Sequence, residues 1–376
     1  MKETDVRKKL KMADILVKMT YVSLCQSDRR ILRKNKHSDI AKNPVVLGHE
    51  GGGYIIDPGN QEDMLQPGDK VVILPHITCA KHACQSCNSF TQNLCPDMKH
   101  IGFHENGILA QLMNFSLQSV LQVPQSFPDK ALPLVEPLAC VIRALFHIKE
   151  HLTKLQHDTV NLGTDDYFTI YGAGPMGSLA ALAVKRFWPG VKVKMADPIE
   201  ARRLLVSDNG IADKAVPGVT QQHRISFVAS SNLQADIDAV SNTEYGGVVL
   251  LFSGINTEDL NSDEAVLWER IHRRELVETR TNPLNNERYR LVGSSGYNFD
   301  DARRSEKELQ KHYDHYAIVQ NVEIEGLDAT QAHYITPVDE WCRFPNAVEA
   351  LLAPLGVNDP EYGEAIAKSH KVLIRL

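Results

Sequence analysis

Apolar positions recur with period two near the start of the chain. Residues 14–23 (DILVKMTYVS) put Ile15, Val17 and Met19 on one face, which predicts a strand. Residues 44–56 (PVVLGHEGGGYII) are two short apolar runs around a glycine-rich turn. Residues 67–74 (PGDKVVIL) are a Pro-Gly-Asp turn feeding a buried strand. From 75 to 106 the chain is polar, rich in His and Cys, and without period. A long irregular stretch of this kind in a compact domain is functional or stapled by a metal. Short strands are expected again near 107–124, so the first 130 or so residues read as β-rich.

The pattern changes near Pro133. Residues 137–156 carry Leu138, Val141, Ile142, Leu145 and Ile148 at helical spacing. From 167 the elements alternate: strand FTIYG, helix PMGSLAALAVKRF, strand VKVKMAD, helix IEARRLLVSDNG. Apolar strands follow at 225–230 and 247–254, and a very polar helix at 299–312 opens with two acids. Strands alternating with helices predict an α/β parallel sheet with crossover helices. The tail, 313–376, is interrupted by Pro337, Pro345, Pro354 and Pro360, and no internal repeat is visible.

Composition narrows the function classes. The 376 residues carry 41 Lys plus Arg against 47 Asp plus Glu, a net charge of −6, which argues against a globally basic nucleic-acid binder. No apolar run reaches the roughly 18 residues of a membrane helix, and the charged N-terminus lacks the apolar core of a signal peptide. A cytoplasmic protein is the expectation. The seven cysteines are Cys25, Cys79, Cys84, Cys87, Cys95, Cys140 and Cys342, and their odd number and clustering argue against a disulfide framework.

Three groups of residues carry candidate chemistry. Gly172-Ala173-Gly174-Pro175-Met176-Gly177 matches G-x-G-x-x-G between a strand and a helix, and the next strand ends at Asp197. In this reading Gly172 permits the tight turn, Gly174 admits a pyrophosphate and Gly177 lets helix and strand pack. Asp197 would accept the adenosine ribose hydroxyls and favour NAD, while Arg202 and Arg203 leave NADP open. Cys79, Cys84, Cys87 and Cys95, spaced C-x4-C-x2-C-x7-C, suit a closed structural Zn site. Free thiols or an iron–sulfur cluster are the alternatives. Cys25, His49, Glu50 and Glu136 are of the donor types that hold a catalytic Zn, but their scatter over 110 positions is weak evidence by itself.

In order, these motifs resemble the zinc-dependent medium-chain dehydrogenase/reductase superfamily, the alcohol and polyol dehydrogenases. The resemblance runs from about Ile15 to Gly296 through Cys25-Gln26-Ser27-Asp28, Gly48-His49-Glu50-Gly51-Gly52-Gly53, Pro67-Gly68-Asp69-Lys70-Val71, the four cysteines, Glu136-Pro137 and the Gly172–Asp197 fingerprint. It implies a GroES-like catalytic domain at 1–142 with a zinc lobe at 79–95, a Rossmann domain at 143–296, and a return to the catalytic domain at 297–376. It implies a catalytic Zn on Cys25, His49 and either Glu50 or Glu136. A glutamate before proline, as at Glu136, is the pattern of the polyol, threonine and sugar-phosphate branches. The cofactor contacts implied are Gly172, Gly174, Pro175, Met176, Gly177, Asp197, Arg202, Ser253, Gly254 and Ser294.

The activity implied is NAD(P)-linked interconversion of a secondary alcohol (polyol, cyclitol or sugar phosphate) and its ketone. Two Zn per chain and a homodimer or homotetramer are implied with it, and no nucleic-acid or membrane partner. Ser27 is the expected first proton acceptor. The chain departs from the family in several ways. Gln26 replaces a usual glycine, and Arg30 stands where a proton-shuttling His is common. The first cysteine gap is four residues where two are usual, residues 277–290 look inserted, and the chain opens about a strand short. These departures motivate the alternative of a catalytically silent, NAD-binding member with structural zinc only. The basic run Arg29, Arg30, Arg33, Lys34 and Lys36 is a candidate anion contact, or a solvated face, and His37 is a second proton route beside Ser27.

Overall fold

The computed structural model describes residues 14–32, 45–153, 167–256, 259–282, 286, 288–320, 322–325 and 371–376. Arg33, Lys34, Lys36, His37, Cys342 and the tail between 326 and 370 lie outside them. In chain order the strands are β1 (Ile15–Ser23), β2 (Glu50–Asp57), β3 (Lys70–Ile73), β4 (His76–Ile77), β5 (Lys99–His100), β6 (Leu112–Phe115) and β7 (Val120–Gln122). Then come β8 (Tyr167–Tyr171), β9 (Lys192–Ala196), β10 (Lys214–Val216), β11 (His223–Val228), β12 (Thr243–Leu251), β13 (Val277–Thr281) and β14 (Arg288–Gly293). The chain ends on β15 (Val322–Glu325) and β16 (Val372–Arg375).

Two compact units result. The first comprises Met1–Pro137, Ser305–Tyr313 and Gln320–Leu376, and the second Leu138–Arg304 and Asp314–Val319. The sequence had suggested boundaries at 142 and 296. The units instead divide after Pro137, within the helix Val135–Thr153, and after Arg304, Tyr313 and Val319, within or just beyond the helix Phe299–Ala317.

In the first unit the sheet order is β15-β16-β1-β2-β3-β7, with β6 also on β1. β1 organises it. Its first half pairs with β6, its last three residues pair with β16, and β2 runs antiparallel along its other edge. Ile15, Val17, Met19 and Val22 bury in one cluster with Ile55, Val71, Ile73 and Ile374. Each such side chain contributes about 1.5–3 kcal/mol on leaving water. Leu16 is buried too, so both faces of β1 are covered and only Lys18 is exposed.

In the second unit the order is β10-β9-β8-β11-β12-β14-β13, parallel except for β13. The stretch read as an insertion, 277–290, supplies β13 and the start of β14, an antiparallel edge on an otherwise parallel sheet. Two helices not anticipated, Leu233–Ser241 and Asp263–Arg274, complete the crossovers. Their N-caps were legible: the Asn232 and Ser262 side chains accept from the Gln234 and Ala265 amides.

The expectation that no stretch could cross a membrane needs correction for Asp129–Leu152, which is long and apolar enough. It carries Glu136, Arg143 and Lys149, so no unbroken apolar run marks it. Its apolar window is 83% buried inside the fold, as in a core helix.

Candidate functional site

The first cluster forms where β1 ends and its two antiparallel neighbours begin. Ser23, the last residue of β1, lies opposite Glu50, the first of β2, and opposite Leu373 of β16. Cys25 follows β1, His49 precedes β2 and Lys371 precedes β16. Antiparallel pairing thus delivers a thiol, an imidazole, a carboxylate and an ammonium to one end of one sheet. One ligand atom each from Cys25, His49 and Glu50 lies within 4.8 Å of the others, and His49 and Glu50 are buried.

Asp28 holds this end together. It sits in the first turn of the helix Gln26–Leu32 and is fully buried. Its Oδ2 accepts from the Cys25 amide at 2.9 Å and its Oδ1 from the Gly48 amide at 3.1 Å. Oδ1 also lies 3.3 Å from His49 Nδ1. Burial pushes the Asp28 carboxyl up, but His49 and the two amides outweigh it and hold it below its ordinary range. For His49, burial acts downward and is outweighed by Asp28 and Cys25, which hold it well above the usual imidazole range. The other ring nitrogen, Nε2, is 3.4 Å from Ser27 Oγ. A carboxylate behind an imidazole is how a metal-binding histidine is oriented.

Glu50 is held on one oxygen only. Its Oε2 accepts from Ser23 Oγ and from Lys371 Nζ, while Oε1 is buried with no hydrogen-bond partner among the described residues. Burial would lower the Lys371 ammonium, but Glu50, Cys25 and Glu136 hold it above the ordinary lysine range. Glu136, in the first turn of Val135–Thr153, is also buried. An aromatic wall closes one side. The His49 ring makes edge contacts with His100 at 5.2 Å and Phe103 at 5.5 Å, and His100 stacks on Phe103 at 4.3 Å. Burial, then His76 and His49, push His100 well below the imidazole range, so it stays neutral.

The four cysteines of the lobe come together. One sulfur each of Cys79, Cys84, Cys87 and Cys95 lies within 4.8 Å of the others, and Cys79 Sγ is 3.6 Å from Cys87 Sγ. Hydrogen bonds, first from the Cys87 amide and then from the Cys87 thiol, bring the Cys84 thiol down to about 7. The donor set fits one tetrahedral Zn²⁺. The Cys25–His49–carboxylate set fits another, since one Glu50 oxygen lies within 4.8 Å of the Cys25 and His49 ligand atoms and Oε1 is buried without a hydrogen-bond partner among the described residues.

The dinucleotide fingerprint lies in the second unit. Gly172 follows β8 at φ +106°, a backbone state glycine tolerates. A Cβ on Gly177 would meet Gly172 O at 1.9 Å, so only glycine permits the turn and helix to close. A Cβ on Gly174 would meet nothing within 4 Å, leaving open space at the N-terminus of the helix Pro175–Phe187. That cradle fits a pyrophosphate. Asp197 Oδ2 accepts from the Ala173 amide at 2.9 Å and Oδ1 from the Ile199 amide at 2.9 Å. Arg202 Nη1 lies 3.5 Å from Oδ2, and Arg203 Nη1 donates to the Asp197 and Pro198 carbonyls. Ser253, Gly254 and Ser294 follow the carboxyl ends of β12 and β14, where α/β sheets bind ligands.

Residues 11–125 match the alcohol dehydrogenase GroES-like domain. Sorbitol dehydrogenase of Bacillus subtilis is 29% identical over 179 residues, 47% of each chain. D-altritol 5-dehydrogenase of Agrobacterium fabrum is 29% identical over 280 residues, 72% of this chain and 77% of that one. The curated relatives that the chain matches carry the names of zinc-type alcohol, polyol and threonine dehydrogenases. The match spans about half the length of the first of these curated relatives. The crystal structure of galactitol-1-phosphate dehydrogenase from Escherichia coli superposes with a TM-score of 0.68 at 19% identity, covering 97% of this chain and 93% of that one. That likeness establishes the shared fold, a GroES-like domain with a Rossmann-like α/β domain.

Two members of the first cluster escaped sequence reasoning as site residues. Asp28 had a signal, a carboxylate three positions after Cys25 at a helix start. Lys371 had none, because nothing local distinguishes it in KVLIRL.

Proposed function

We propose that this chain is a zinc-dependent, NAD(P)-linked oxidoreductase. It interconverts a secondary alcohol (a polyol, cyclitol or sugar phosphate) and its ketone. The observation that carries the reading is the Cys25–His49–carboxylate cluster, half-buried at Cys25 and buried at His49 and Glu50, in a GroES-like domain on the same chain as an open glycine cradle. When bound, zinc supplies the Lewis acidity that lowers the pKa of a substrate hydroxyl, and the nicotinamide supplies the hydride acceptor.

The chain's own residues divide the remaining work. Cys25, His49 and a carboxylate, Glu136 or Glu50, hold the metal. Asp28 orients His49 through Nδ1. Ser27, 3.4 Å from His49 Nε2, accepts the hydroxyl proton and passes it on. His100 and Phe103 shield the imidazole from water. Cys79, Cys84, Cys87 and Cys95 hold a second, structural zinc. Gly172, Gly174, Pro175, Met176 and Gly177 take the pyrophosphate, with Ser253, Gly254 and Ser294 beyond the strand ends. Asp197 receives the adenosine ribose and favours NAD. Arg202, beside Asp197, is the group that would admit a 2′-phosphate.

The test couples metal analysis to a panel of polyols, sugar phosphates, threonine and cyclitols with NAD⁺ and NADP⁺. Two zinc ions per chain and substrate-dependent cofactor reduction are expected. Glu136→Ala should lower turnover by orders of magnitude while NAD binding persists. One zinc per chain with no turnover on any substrate would instead support the catalytically silent alternative.

A further inference from the structure

We propose that Arg143 and Glu275 are positioning residues for the dinucleotide. Together they clamp the turn 294–298, which seats the nicotinamide half of the cofactor. The inference rests on the dinucleotide reading above and deepens it.

The sheet order fixes where the two halves of a dinucleotide fall. The glycine cradle follows β8, and Asp197 follows β9 on one side of it. β11, β12 and β14 lie on the other side and run parallel to β8, so their carboxyl ends share one edge. A dinucleotide with its pyrophosphate at β8 and its adenosine at β9 therefore lays its other half over the ends of β11, β12 and β14. The turn after β14 is held in place there. The Ser294 amide donates to the carbonyl of Leu251, the last residue of β12, at 3.1 Å. The Ser294 hydroxyl is buried with no hydrogen-bond partner among the described residues. Gly296, at φ +64°, makes the turn easy to deform. Two buried carboxylates restrain it on either side. Glu275 Oε1 accepts from the Ser295 amide at 3.1 Å, and Asp301 Oδ2 accepts from the Asn298 amide at 3.0 Å. Arg143 joins the two grips, with Nε donating to Glu275 Oε1 at 2.6 Å and Nη1 to Asp301 Oδ2 at 3.2 Å. One guanidinium on the helix Val135–Thr153 thus holds both carboxylates from which the turn hangs. Glu275 occupies its post under strain. It caps the helix Asp263–Arg274 in the left-handed region, at φ +49°, where glycine would cap without strain. The cap needs no carboxylate, whereas the grip on Ser295 does.

Titrating with half of the cofactor separates this role from a purely structural one, because ADP-ribose carries the adenosine and pyrophosphate but no nicotinamide. Glu275→Gln puts an NH₂ against Arg143 Nη2 and opens the fork, while Asp301 still pairs the guanidinium, so no buried cation is orphaned. In calorimetric titrations of the zinc-loaded full chain, NAD⁺ affinity should fall about tenfold, as a freed turn adopts the competent arrangement only about a tenth of the time. ADP-ribose meets other strand ends, so its affinity should stay within about twofold of wild type. Arg143→Lys, whose ammonium cannot fork both carboxylates, should show the same split and serves if Glu275→Gln does not fold. Amide exchange of the ligand-free protein should quicken at Ser295 and Asn298, with 172–177 protected as in wild type. Equal losses for both ligands, or unchanged NAD⁺ affinity, would overturn the proposal, as would unchanged exchange in the turn. A wild-type protein that binds neither ligand would overturn the dinucleotide reading itself, and this inference with it.

Discussion

Replacing Asp28 by Asn removes one charge and almost no volume, yet no orientation of the amide satisfies its surroundings. The carboxylate is fully buried, with Oδ2 receiving the Cys25 amide and Oδ1 receiving the Gly48 amide and facing His49 Nδ1. Asparagine has one acceptor oxygen, so its NH₂ must meet either the Cys25 or the Gly48 N–H donor. One hydrogen bond to a charged acceptor disappears, at about 1.5–3 kcal/mol, and a buried donor is left unpaired at about 1–3 kcal/mol. A loss of about 3–5 kcal/mol in the metal-free protein follows.

The His49 ring also loses the group that orients it. Loss of such a partner weakens metal binding about 10–100-fold. The pH dependence gives a second readout. His49 is held well above the imidazole range, largely by Asp28 against the pull of burial. A raised imidazole pKa contributes stability below the unfolded value and loses it as pH rises through the folded one. Zinc must displace that proton, so wild-type affinity should climb through neutral pH, and the variant's climb should move to lower pH. The assays are chelator competition across pH and thermal melting of the metal-free protein. Zinc binding within about twofold of wild type at every pH would refute the reasoning.

Other outcomes follow from the second unit and the lobe. Arg143 donates Nε to Glu275 at 2.6 Å, pairs with its other oxygen through Nη2, and reaches Asp301 at 3.2 Å, all buried. Arg143→Met should cost about 3–5 kcal/mol in denaturant unfolding, since two buried carboxylates lose their cation. Burial raises the Glu275 carboxyl, but Arg143 outweighs it and holds the pKa low, so its contribution is present above the ordinary carboxyl range and the deficit should shrink as pH falls. Asp236 is the opposite case. Burial, then Glu269, hold its carboxyl well above the ordinary range, and neither oxygen has a hydrogen-bond partner among the described residues. It loses stability as pH rises from the unfolded value, so Asp236→Asn should raise the Tm at neutral pH and lose that advantage toward pH 4. Cys87→Ser should remove one zinc per chain by elemental analysis and lower the Tm, with the dinucleotide cradle intact by NAD titration.

What the sequence determined by itself was what closes locally. The four cysteines span Cys79 to Cys95 and the fingerprint spans Gly172 to Asp197. Over such distances turn chemistry, glycine sterics and a strand–helix alternation dictate which atoms can meet, and they do meet. The first cluster is different. Cys25, His49 and Glu50 carry a local signature as motif residues, but their convergence depends on β1 pairing with β2. Lys371 reaches Glu50 across 321 positions, because β16 takes the edge of β1 that β6 leaves free. A lone lysine before an apolar strand reads as solvated, and only the register of that last strand buries it against a carboxylate. Glu50 and Glu136, both of a ligand type, reach their places by different routes. Glu50 sits on a strand start beside the ammonium and Glu136 on a helix start, a distinction made by packing between segments distant in the chain.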